Sequence, residues 1–157
     1  VVTDAGDHRA VEHLVLLAAY APDAGESIGE LARAHERSAL AGCVRVAGGA
    51  LVLDPVAAAG ALYGDCDAAD VRRATGLLRP QSPVTFAQAP RAVAWRVRPT
   101  TYLVCGDDLA VPASAQRRMA GRIPGASVLE WPGASHSPFL SRPAEVVDLL
   151  AGLAVPA

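Results

Sequence analysis

Two apolar runs constrain the fold of this chain more than any other feature: residues 13–20 (HLVLLAAY) and residues 100–106 (TTYLVCG). A strand with one wet face alternates polar and apolar residues. A continuous run fits a strand covered on both faces, as in a parallel sheet. The first run stops at Pro22 and Gly25, the second at Gly106-Asp107-Asp108. A third and shorter run, residues 127–131 (SVLEW), stops at Pro132-Gly133. Helical patterns separate the runs, and parallel strands need such crossovers. The expectation is an α/β fold with three mostly parallel strands and flanking helices.

Residues 1–12 read as the tail of a helix. Residues 26–42 carry helical spacing through Ile28, Leu31, Ala32 and Ala39, ending at Gly42. Residues 43–53 are apolar but broken by Gly48-Gly49, and stay ambiguous. Asp54-Pro55 is a helix start signal, with Asp54 as N-cap and proline in the first helical position. That helix runs to about Tyr63, and another spans 68–78 ahead of Pro80. Residues 79–90 hold three prolines and read as a connector, 112–122 as a helix, and 143–153 as an amphipathic terminal helix. The predicted organisation is a core formed by 1–25 and 99–157, with a helical insertion over 26–98.

The length, 157 residues, suits one domain with a real core. The net charge of -2 and the absence of a basic run argue against nucleic acid or an anionic membrane surface as the main partner. No apolar stretch reaches the roughly 18 residues of a membrane span. No signal-peptide pattern opens the chain. The cysteines Cys43, Cys66 and Cys105 are odd in number and lack metal-ligand spacing. They fit reduced thiols in a cytoplasm better than disulfides, and no metal or organic cofactor is expected.

Chemistry is expected at the carboxyl ends of the strands, where parallel α/β sheets gather their ligands. Asp107 and Asp108 follow one strand, and His136 sits in the loop after the next. A carboxylate there can accept the imidazole Nδ1–H, fix its tautomer and stabilise the imidazolium formed on proton uptake. Taken singly, such an aspartate reads as a helix cap and such a histidine as a surface residue. Together, in this order on consecutive strand ends, they read as an acid–base pair.

The segments HLVLLAAYAPDAGES, TTYLVCGDDLAVP…QRRMA and GASHSPFLSRPAEVVDLL resemble the later part of an α/β-hydrolase. The branch they resemble is that of small esterases related to plant methylesterases and hydroxynitrile lyases. The resemblance spans essentially the whole chain. It implies a partial α/β-hydrolase fold, His136 as general base and Asp108 as its acid, with Asp107 second choice. It also implies a helical cap over residues 26 to about 98 and a small-molecule ester as substrate. The lyase outcome of that branch uses a lysine, and this chain has none.

Gly25-Glu26-Ser27-Ile28-Gly29 spells G-x-S-x-G, the letters of a nucleophile elbow. An elbow needs a strand running directly into the turn, whereas Ala21-Pro22-Asp23-Ala24 intervene here. Ser27 therefore reads as the N-cap of a helix, with Glu30 three residues on as its capping-box partner. A catalytic Ser27 is kept as the minor alternative, because the order Ser27, Asp108, His136 matches that of the hydrolases. In the resembling family the nucleophile precedes this region, in a G-x-S-x-G-G segment, and VVTDAGDH resembles the helix behind it. The chain, which begins at Val1, is thus expected to be a carboxyl-terminal part lacking its nucleophile. Its first strand would then leave an edge at residues 13–20 open to self-association.

Two functions follow: a carboxylic-ester hydrolase whose serine lies outside this chain, or a catalytically incomplete hydrolase-derived binding module. Among other residues, Trp95 and Tyr63 either shape a pocket or anchor the insertion, and Cys66 either lines the pocket or is small buried filler. Cys105 reads as core. Ser135 and Ser137 are expected to hydrogen-bond the histidine loop, and Phe139 to pack beneath His136. His8, His13 and His35 read as surface or structural, and Arg117-Arg118 as a solvated helix face.

Overall fold

The computed structural model describes residues 1–154. A short helix α1 (Val2–Ala5) leads into strand β1 (Leu14–Leu17). The chain then forms α2 (Ile28–Ala34), a 3₁₀ turn (Ala39–Cys43), a hairpin of β2 (Val44–Ala47) and β3 (Ala50–Leu53), and helices α3 (Pro55–Tyr63), α4 (Ala68–Gly76) and α5 (Val84–Ala87). It returns through a second 3₁₀ turn (Ala94–Arg96) to β4 (Thr100–Cys105), α6 (Ala113–Ala120), β5 (Ser127–Trp131), α7 (Pro138–Ser141) and α8 (Pro143–Ala154). The main sheet has three strands in the order β1-β4-β5, all parallel. Leu14 lies opposite Thr100, and Thr101 opposite Ser127.

β4 is buried at all six positions, as expected of the central strand. On one face Leu14, Leu16, Tyr102 and Val104 pack against Ala115, Met119 and Ala120 of α6, together with Leu31, Trp95 and Ile123. These strand residues alternate at period two, so one face of two neighbouring strands meets one helix. Near the carboxyl edge Ala18, Cys105 and Ala134 form a smaller cluster with Leu17 and Trp131. Trp95 is core: it is 2% exposed and its indole N–H donates to the Pro22 carbonyl at 3.2 Å. Tyr63 packs at the margin of a third cluster, around Ala58, Leu62 and Ala110.

The structure departs from the sequence reading in several places: the connector expected over 79–90 contains α5, residues 1–12 are helical only over Val2–Ala5, and three further departures bear on the sheet and the insertion. The first apolar run yields a strand only over Leu14–Leu17, because Ala18 turns to φ 48° and ends it. The helix expected over 26–42 ends at Ala34, where His35 takes extended angles. The ambiguous stretch 43–53 is a β-hairpin, so the insertion is not purely helical. Gly48 and Gly49 both have positive φ, which the tight turns of two-residue hairpins demand.

β1 hydrogen-bonds to β4 on one side, and no other strand pairs with it among the described residues. Along that open edge runs a groove of about 400 Å³, bordered by Val1, Val15, Leu17, Tyr20, Ile28 and Phe139. No helix among the described residues is long and apolar enough to cross a membrane.

Met119 is the keystone of the α6 contact, with no exposed surface. Met119→Ala is expected to cost about 2–5 kcal/mol in urea unfolding through the cavity it leaves. Val147→Ala, at a 62% exposed position of α8, is expected to stay within about 0.5 kcal/mol.

Candidate active site

The strand ends bring Asp108 and His136 together. The loop after β4 carries Asp108 with its side chain fully buried, and the loop after β5 carries His136 with 27% of its side chain exposed. His136 Nδ1 lies 2.8 Å from Asp108 Oδ2. That oxygen also accepts from Gln116 Nε2 at 2.8 Å, while Oδ1 accepts the backbone N–H groups of Ala110 at 2.7 Å and Val111 at 2.9 Å. Asp108 thus caps the turn with one oxygen and meets the imidazole with the other. A carboxylate only accepts, so this contact calls for the proton on Nδ1 and leaves Nε2 unprotonated in the neutral ring. No hydrogen bond to Nε2 is made among the described residues. Asp107 does not share the role: it is exposed and contributes its backbone N–H to the Ala134 carbonyl at 3.0 Å.

Gln116 escaped the sequence reading. It is fully buried on α6 and holds the Asp108 loop from beneath. Its Oε1 accepts the Cys105 N–H at 3.0 Å, and its Nε2 donates to the Val111 carbonyl at 2.7 Å as well as to Asp108. The available signal was a polar residue within the apolar stripe Ala115, Met119, Ala120. Asp65, in the turn between α3 and α4, was also missed. Its carboxylate accepts the hydroxyls of Ser135 and of Ser141, the latter at 2.8 Å. Burial pushes the Asp65 carboxyl up, but those hydroxyl bonds outweigh it and hold the group below the usual carboxylate range. Cys105 is inert: burial first, then the charges of Asp108 and Asp65, push its thiol up to about 12. Tyr20, half-buried beside the groove, is pushed up by burial and by the Asp108 charge.

Other expected residues fall as follows. Ser27 is the N-cap of α2 in a complete capping box. Its hydroxyl donates to Glu30 Oε2 at 2.7 Å and accepts the Glu30 N–H at 3.2 Å, while the same carboxylate oxygen takes the Ser27 N–H at 2.8 Å. Ser135 reaches Asp65 in the insertion rather than its own loop, and Ser137 uses its backbone carbonyl to start α7. Phe139 does not pack beneath the histidine; it is 52% exposed and borders the β1 groove instead. A helix turn beginning at Pro138 aims it outward. Cys66 is partly exposed, and burial raises its thiol too. His13 Nε2 sits 2.9 Å from Thr101 Oγ1, His8 accepts the Ala10 N–H, and His35 lies apart with Nδ1 buried and unpaired. Arg117 pairs with Glu130 of β5 at the surface. Among the described residues no three His, Cys, Asp or Glu side chains converge as a metal cage would.

The chain is similar to several known proteins. Residues 1–149 match the family described as "Alpha/beta hydrolase family". The alpha/beta hydrolase nvfD of Aspergillus novofumigatus is 34% identical over 142 residues, which is 90% of this chain and 56% of that protein. Methylesterase 7 of Arabidopsis thaliana is 45% identical over 53 residues, 34% of this chain and 20% of that protein. A pyrethroid hydrolase from Sphingobium faniae superposes with a TM-score of 0.82 at 22% identity, covering 97% of this chain and 65% of that one. The chain thus spans a little over half of the first relative and about two thirds of the solved enzyme.

Gln116→Leu keeps the volume of α6 but orphans the Cys105 N–H and the Val111 carbonyl. Each buried group so stranded is expected to cost about 1–3 kcal/mol, read by urea unfolding. An unchanged midpoint would contradict the bracing role of Gln116.

Proposed function

The chain belongs to the alpha/beta hydrolase family, and from that membership we propose that it is the proton-handling part of a carboxylic-ester hydrolase. The observation that supports this reading most is the 2.8 Å contact of His136 with the fully buried Asp108 carboxylate at the strand ends. A serine hydroxyl from outside this chain attacks the ester carbonyl while His136 Nε2 takes its proton. Asp108 holds Nδ1–H and stabilises the imidazolium. The imidazolium then returns the proton to the departing alkoxide, leaving an acyl-serine. Water attacks the acyl group with His136 again as base, and the proton returns to the serine oxygen. Proton transfer and acyl transfer need no metal and no organic cofactor.

Ser27 does not serve as the nucleophile in this reading, because its hydroxyl is engaged by Glu30 both as donor and as acceptor. Residues 26–98 act as the cap. They reach the Asp108 loop through the Ala39 N–H, which donates to the Leu109 carbonyl at 2.9 Å, and the His136 loop through Asp65. The apolar groove beside β1, with Tyr20 and Phe139 at its rim, would take the acyl or alcohol group of a small ester. Three unpaired thiols, one of them buried, fit a reducing cytoplasm.

The second reading is a truncated, catalytically incomplete hydrolase that only binds small molecules. The same engagement of Ser27 favours it, since no serine among the described residues is hydrogen-bonded to His136. A fluorophosphonate probe is expected to leave the 157-residue chain unlabelled; labelling lost in Ser27→Ala would overturn the assignment. The reading frame ahead of Val1 separates the two functions by encoding G-x-S-x-G-G or not. In a protein carrying both parts, Asp108→Asn is expected to lower kcat on p-nitrophenyl acetate by about 10⁴. A His136→Ala protein of undiminished rate would end the proposal.

The open edge of β1 supports a further expectation. An unpaired edge is a template for another strand. The 157-residue chain is expected to self-associate with rising concentration in sedimentation velocity, and a clean monomer at every concentration would rule this out.

A further inference from the structure

His136 sits on the loop between β5 and α7. Arg142 closes the base of that loop, its Nη2 donating to the Pro132 carbonyl at 3.3 Å and its N–H to the Pro138 carbonyl at 2.8 Å. The flanks are held from elsewhere. Ser135, one residue before His136, and Ser141, five residues after it, both donate their hydroxyls to the single carboxylate of Asp65. Arg142 Nε approaches the same carboxylate at 3.8 Å. Asp65 lies in the turn between α3 and α4, so this one group joins the insertion to both sides of the histidine. Ser135 is 3% exposed while the Asp65 side chain keeps 19% of its surface, so the joint is part-buried.

We propose that Asp65 is a positioning residue: it straps the His136 loop to the insertion, so that the alignment of the imidazole on Asp108 depends on where the insertion sits. The inference rests on the reading of His136 as the base. Two hydroxyls from either side of the histidine, one on each carboxylate oxygen, hold the segment at two points where a single bond would hold one. Hydroxyl donors that bond a carboxylate are stronger than neutral pairs. The Asp108 loop has its own tie to the insertion at Leu109. Both members of the pair are therefore referenced to the same element, and movement of that element changes the angle between them. Misalignment of a reacting group by about 1 Å costs up to roughly a hundredfold in rate.

The test uses the 157-residue chain with ¹⁵N-labelled histidine, the His136 signals being assigned by their loss in His136→Gln. In the native chain the Nδ1 proton is expected as a resolved downfield signal, sheltered by its bond to Asp108. In Asp65→Asn that signal is expected to broaden or vanish. Asp65→Glu is expected to recover it in part. A lower melting temperature with an unchanged Nδ1 signal would mean that Asp65 is only a fastener, and would overturn the inference. Should Asp65→Asn fail to fold, Ser141→Ala removes one strap and is expected to broaden the signal less; an unchanged signal overturns the inference equally. Absence of the downfield signal in the native chain would instead defeat the reading of His136 as the base, independently of Asp65.

Discussion

The carboxylate of Asp108 is the constraint on which the sheet edge depends. A charged group taken out of water costs several kcal/mol unless hydrogen bonds replace its hydration. Here four donors converge on it: two backbone N–H groups, a glutamine amide and an imidazole. Each hydrogen bond to a charged group contributes on the order of 1.5–3 kcal/mol, so the set is of the size needed to offset burial. The consequence is geometric. The loop from Gly106 to Val111 has to curl around one oxygen, and Gln116 and His136 have to meet at the other. Neither the course of the chain after β4 nor the orientation of the histidine is free once this side chain is buried.

The insertion is held to this edge by polar contacts at its rim. Leu109 receives the Ala39 N–H and the Ser38 hydroxyl, while Asp65 receives two hydroxyls from the histidine loop. A small apolar cluster, Ala58 and Leu62 with Ala110, adds an apolar contact there, while Leu31 and Trp95 of the insertion reach the main core. Further out, the Asp4 carboxylate accepts the N–H groups of Arg91 and Ala92 at 2.8 Å each, which ties the returning chain to α1. The rim bonds are directional, so they specify an orientation more than they add cohesion.

What could be read from the sequence followed from how local each feature is. The strands were legible because continuous apolar runs have few other solutions. The Ser27–Glu30 box was legible because both partners lie on one helical turn. The pairing of Asp108 with His136 was legible from order and from resemblance, across 28 positions. The hairpin at 44–53 was hidden: Val44, Arg45 and Val46 are all exposed, so no alternation of burial marks β2. Asp65 and Gln116 were missed for a different reason. Their partners arise only when separate segments pack; Asp65, in a turn between two helices, carries no periodic mark, and the polar break that Gln116 makes in the α6 stripe does not name its partners. Phe139 was misplaced because proximity to His136 in sequence does not fix direction across a helix start at Pro138.

Ala18 bears on how such a site can diversify. It combines a left-handed φ of 48° with 2% exposure, facing Cys105 and Ala134. A bulkier side chain would collide with those neighbours, and the backbone angle already disfavours anything with a Cβ. Glycine would relieve the angle, yet would forfeit the contact and widen the unfolded ensemble. Adaptive latitude at this corner of the sheet is therefore narrow.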